Sequence, residues 1–109
     1  MSYDVIATEL FEKKLKKLSN KYPSLKEDLL PIIDTLSENP KIGTPLGKNC
    51  YKIRFIIKSK TKGKSGSGRI ITFVRFIKNI VYLIDIYDKS ARENISDKEL
   101  KELINLIAE

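Results

Sequence analysis

An α+β domain is the fold class this sequence predicts: an antiparallel sheet packed by an N-terminal helical hairpin and a C-terminal helix. Three observations carry it. Apolar residues recur at helical spacing before Pro40. From Tyr51 to Tyr87 they alternate with period two or run nearly uninterrupted. After Ser96 the helical spacing returns. The element order is β-α-α-β-β-β-α, read as one domain over residues 1–109 without internal repeats.

Tyr3 to Ala7 (YDVIA) is β-prone and gives the first strand. Thr8 is placed to cap a helix in which Phe11, Leu15, Leu18 and Tyr22 form one stripe. Glu9 and Lys13 are spaced as an i,i+4 pair on its outer face. Ser24 and Glu27 read as a capping box for a second helix, with Leu25, Leu29, Ile32, Ile33 and Leu36 as its buried face. Pro31 removes a backbone donor there and predicts a kink or a split. Lys41 to Asn49 reads as a loop from its Gly and Pro content.

In Tyr51 to Ile57 the apolar residues Tyr51, Ile53, Phe55 and Ile57 point one way, and Lys52 and Arg54 point the other. Lys58 to Gly68 (KSKTKGKSGSG) is a polar loop. Arg69 to Ile77 and Ile80 to Tyr87 are strands joined by a two-residue turn at Lys78-Asn79. Both are apolar on both faces, so they belong in the sheet centre, covered by helices. A tight turn there sets Tyr87 opposite Ile70. Ser96 and Glu99 form another capping box, and Leu100, Leu103, Ile104 and Ile107 stripe the last helix.

The charge is segregated. The chain carries 21 Lys and Arg against 14 Asp and Glu, a net charge of +7. Between Asn39 and Ile84 there are eleven basic residues and no acid, so the remainder is acidic. Clustered like charges repel unless a polyanion screens them, which points to nucleic acid as a partner. No apolar run approaches the ~20 residues that cross a bilayer. The N-terminus does not read as a secretory signal, and the single Cys50 cannot form an internal disulfide. The expected compartment is the cytoplasm, with no membrane partner.

The absence of histidine removes the commonest general base and metal ligand. A Cys/His zinc site is excluded, and the acid-free middle argues against a two-metal centre. No metal and no cofactor are expected. Gly63, Gly66 and Gly68 do not form a phosphate-binding loop, because no G-x-x-x-x-G-K-[ST] occurs and a strand follows. Cys50 has no histidine to activate it and reads as a strand residue. Asp85 and Asp88 read as surface charge at a strand end.

A cationic site remains. Lys58, Lys60, Lys62 and Lys64 lead into Arg69, and Lys89 and Arg92 follow the last strand. Pairing of the two central strands brings these segments to one sheet end. Such a site can cleave RNA without a metal, because the 2′-OH is an internal nucleophile. Arg69 suits the developing phosphorane charge and stays protonated. A lysine crowded by other cations is a possible base. A plain RNA-binding module displays aromatics on its sheet, whereas Tyr51, Phe55, Phe73, Phe76 and Tyr82 sit in core patterns.

From Asn39-Pro40 through YKIRFIIKSKTKGKSGSGRIITFVRF to LIDIYDKSARENISDKELKELI, the chain resembles the RelE/ParE toxin superfamily, in particular its HigB-type branch. The resemblance implies a RelE-like fold and a ribosome-dependent mRNA endonuclease. It also implies neutralisation by a cognate antitoxin, expected to be a helix-turn-helix, HigA-like protein. Carried over by position, Arg69, Lys89, Lys64 and Lys62 are the catalytic candidates. Lys58, Lys60, Arg54, Lys52, Arg92 and Tyr87 are the RNA-binding candidates. Some members place a catalytic tyrosine just before the last helix, where this chain has Ile95-Ser96, so Tyr87 or a lysine would do that work or the activity would differ. ParE-like members that poison DNA gyrase are the main alternative, a plain RNA-binding module the other.

Overall fold

The structure is a computed structural model that describes residues 2–60, 67–92 and 94–107. Its elements are β1 (Asp4–Ala7), α1 (Glu9–Lys21), α2 (Leu25–Glu38), β2 (Thr44–Gly47), β3 (Cys50–Phe55), β4 (Gly68–Arg75), β5 (Ile80–Asp88) and α3 (Asp97–Asn105). The five strands form one sheet in the order β1-β5-β4-β3-β2. Strands β2 to β5 are antiparallel neighbours, and β1 joins β5 in parallel. The sheet is therefore mixed where an antiparallel one is predicted. The parallel pair arises because the α1–α2 hairpin and three strands intervene between β1 and β5, long enough for a crossover.

As predicted, β4 and β5 are central, and every residue from Gly68 to Val74 is buried. One sheet face meets the two N-terminal helices: Phe11, Leu25, Leu29 and Leu36 pack on Ile53, Phe55, Ile70, Val74, Val81, Leu83 and Ile86. On the other face Leu100 of α3 packs on Ile71, Phe73, Ile84 and Tyr87. No helix among the described residues is long and apolar enough to cross a membrane.

Local chemistry explains most boundaries. Thr8 caps α1 by accepting from the Phe11 amide, and Glu9 pairs with Lys13. Ser96 and Glu99 form the predicted capping box of α3. Four expectations differ. Ser24 makes no side-chain cap; its hydroxyl donates to Asp28 and also meets Ser59, so long-range partners displace the local one. Pro31 does not split α2 in two, because the helix runs unbroken from Leu25 to Glu38. The Lys41 to Asn49 loop contains β2, joined to β3 by Lys48 and Asn49. Both have positive φ, the geometry of a two-residue hairpin turn. Between β4 and β5 the chain forms a short 3₁₀ turn over Phe76–Lys78 and ends it with left-handed Asn79, in place of the two-residue turn.

The last difference moves the register. Thr72 pairs with Leu83, but Ile71 pairs with Asp85, so Ile84 is an extra residue in β5. Tyr87 therefore lies opposite Arg69, and Ile70 lies opposite Ile86. Side chains alternate faces along a strand, so a shift of one residue exchanges the faces. The bulge turns Tyr87 to the α3 side, with Arg69, and Ile86 to the α1–α2 core.

Candidate cationic site at the sheet end

The register builds a row across three strands: Arg54 opposite Arg69, and Arg69 opposite Tyr87. Lys52, two residues before Arg54, points to the same face and donates to the side-chain oxygen of Asn94 at 2.9 Å. Lys89 follows β5 at this end, and its amide donates to Ser67 O at 2.8 Å, extending the β4–β5 ladder by one pair. Arg54, Lys58 and Lys89 are exposed. Arg69 is only 5% exposed and donates to the Gly68 carbonyl at 2.9 Å. It thus lies beneath the surface row, where its charge acts in a low-dielectric setting. Lys62 and Lys64 lie outside the described residues.

Two candidates have structural partners that sequence reasoning does not give them. Lys60, whose side chain is only 14% exposed, donates to Asp88 at 2.7 Å. Arg92 pairs at 2.5 Å with both Asp85 and Glu99, and its guanidinium lies over the Tyr87 ring at 4.7 Å. Both cations are tied into the protein frame.

Two of the acids that hold them, Asp85 and Asp88, are buried, which overturns their reading as surface charge. Asp85, in the bulged segment, is fully buried and accepts from Lys14 at 2.6 Å, from Arg92, and from the Ile86 amide. Asp88 accepts from Lys60, from the Tyr22 hydroxyl at 2.5 Å and from the Ser90 amide at 3.0 Å. Burial opposes the Asp88 charge, yet the hydrogen bonds from Lys60, Tyr22 and Ser90 outweigh it. They hold the carboxyl well below the usual carboxylate range. The signal was present in the sequence: an acid inside IVYLIDIYD, a strand apolar on both faces, has to be buried and therefore paired.

Tyr87 is buried, and its hydroxyl has no hydrogen-bond partner among the described residues. Burial raises its pKa against the opposing Arg92 charge, so it stays protonated at neutral pH. Burial likewise pushes the Cys50 thiol up to about 11, which removes it as a nucleophile. Beyond the end of β1, a groove of about 390 Å³ runs between α1 and β5. Lys14, Lys17 and Lys21 stand on one side, Ile86 and Tyr87 on the other.

The arrangement can grip a phosphodiester. Exposed Arg54 and Lys89 flank a buried guanidinium, and a protonated phenol stands in the same row. A family model described as the RelE toxin of the RelE / RelB toxin-antitoxin system matches residues 5–109. No curated relative matches the chain. Among solved structures, a mutant of Escherichia coli toxin RelE in the free state aligns with TM-score 0.64 at 22% identity, covering 99% of this chain and 100% of that one. The isolated E. coli RelE toxin aligns with TM-score 0.60 at 19% identity over 97% and 100%. The RelE mutant in complex with an antitoxin RelBc peptide aligns with TM-score 0.54 at 21% identity over 99% and 100%. At these identities the structural likeness shows the fold.

Proposed function

The chain belongs to the RelE toxin family, and from that premise we propose that it is a ribosome-dependent mRNA endonuclease that inhibits translation. The observation that supports this reading best is the row Arg54, Arg69 and Tyr87, with Lys52 and Lys89 beside it, at one sheet end. The 2′-OH of the RNA attacks the adjacent phosphorus in line, and the 5′-oxygen leaves. Arg69 and Arg54 stabilise the charge that develops on the phosphorane. Lys89, exposed at the same sheet end, moves a proton between the reacting oxygens. Tyr87, buried and protonated at neutral pH, stands beside Arg69 in the row. Lys52 and Lys58 bind the flanking backbone, and Lys62 and Lys64, outside the described residues, are the further catalytic candidates by sequence position. Arg92 and Lys60 hold the frame in which these groups stand.

The partner is a cognate antitoxin, as the E. coli RelE complex with its antitoxin peptide suggests. We take it to be a helix-turn-helix protein and place both in the cytoplasm. Pulse labelling after induction tests the reading. Methionine incorporation is expected to fall within minutes while thymidine incorporation continues, and co-expressed antitoxin restores growth. Loss of thymidine incorporation first, with protein synthesis intact, is the gyrase-poison outcome and contradicts the proposal.

A further inference from the structure

We infer that Asp88 is a positioning residue of the cleavage site, and that Lys60 serves as its structural counter-ion and not as an RNA ligand. The inference rests on the reading above, in which Lys89 takes part in RNA cleavage. Asp88 closes β5, is 4% exposed, and stands opposite Gly68 at the entrance to β4. One carboxylate oxygen accepts from both Lys60 and the Ser90 amide, and the other accepts from the Tyr22 hydroxyl. Its own carbonyl accepts from the Ala91 amide at 2.9 Å. Lys89 therefore sits inside a turn fastened on both sides by one residue. Its backbone is fixed by the Asp88 side chain and by the bond from the Lys89 amide to Ser67.

The same carboxylate fastens the segment that leaves β3. Lys58 and Ser59 donate their amides to Asp28 and to the Ser24 hydroxyl, which anchors that segment to the start of α2. Lys60 then reaches Asp88, so α1, through Tyr22, and β5 meet that segment at one buried carboxylate. An ammonium neutralised at 2.7 Å and largely buried has little left to offer a phosphate. Exposed Lys58 and Lys89, which pair with no acid among the described residues, keep theirs for one.

The test compares purified wild type with Asp88→Asn, Lys60→Met and the double variant. Asparagine keeps an acceptor for the Ser90 amide and loses the charge that holds Lys60. Reductive methylation with peptide mapping reads the clasp without reference to activity. Lys60 is expected to be protected relative to Lys58 in wild type and to react like Lys58 in Asp88→Asn. Single-turnover cleavage of message on programmed ribosomes reads the consequence. The rate constant at saturation is expected to fall roughly 10²-fold in Asp88→Asn, the cost of a misplacement of about 1 Å. The concentration for half-saturation is expected to stay within a few-fold. The double variant should match Asp88→Asn, because the two residues act as one unit. A merely structural role lowers the amplitude and the melting temperature and leaves the rate constant of the folded fraction unchanged, which would overturn the assignment. So would a Lys60 as reactive as Lys58 in wild type, or a Lys60→Met variant whose half-saturation rises additively with that of Asp88→Asn. Protection of Lys60 in a wild-type protein that cuts no ribosome-bound message would show that the endonuclease reading itself had failed, and the positioning role with it.

Discussion

Induction of the Lys89→Ala variant is expected to leave cells growing and translated messages intact, and Arg69→Lys is expected to do the same. Each substitution removes a group aimed at charge or proton movement in the transition state, an effect of roughly 10²–10³ in rate. Lys89 is exposed, so its replacement leaves packing untouched, and the melting temperature should stay near that of wild type. Arg69 is buried, and alanine there would open a cavity, so lysine is the sharper test. It keeps the charge and loses the planar fork that spans two phosphate oxygens. Growth arrest and message loss at wild-type levels in the folded double variant would remove these two residues from the site.

The second large effect falls on stability. Asp85→Ala is expected to destabilise the fold by about 3 kcal/mol, which lowers the melting temperature on the order of 15 °C. Asp85 is fully buried, holds Lys14 with one carboxylate oxygen and Arg92 with the other, and also accepts from the Ile86 amide. The figure sits at the low end for a broken buried pair, because both partners reach water: their side chains are 39% and 30% exposed. Arg92 also keeps Glu99. Thermal and urea unfolding read the change. A melting temperature within a few degrees of wild type would mean that the bulged segment of β5 relaxes without its acid.

Sequence pattern carries the layers of this fold well and its registers poorly. The stripe through Phe11, Leu15 and Leu18 and the alternation of Ile53 and Phe55 against Lys52 and Arg54 are local periodicities that burial enforces, and both appear as expected. The face of Tyr87 is different. It depends on one extra residue, Ile84, and on a 3₁₀ turn over Phe76–Lys78, neither of which leaves a mark in composition. Ser24 fails as a cap because Ser59, distant in sequence, competes for its hydroxyl. Among the cations, spacing shows which are present but not which are spent. Lys60 and Arg92 read as free until Asp88, Asp85 and Glu99 are placed against them. An acid in a strand apolar on both faces is the readable warning, and both Asp85 and Asp88 gave it.

Mapping both ends of the cut message tests the central claim most directly. After brief induction, or on ribosomes programmed with a defined message, a 2′-OH nucleophile leaves a 2′,3′-cyclic phosphate upstream and a 5′-hydroxyl downstream. These ends are expected within translated reading frames, only when ribosomes are engaged, and absent from Lys89→Ala. Intact messages after growth has stopped, or ends bearing a 3′-hydroxyl and a 5′-phosphate, would contradict cleavage by this cationic site.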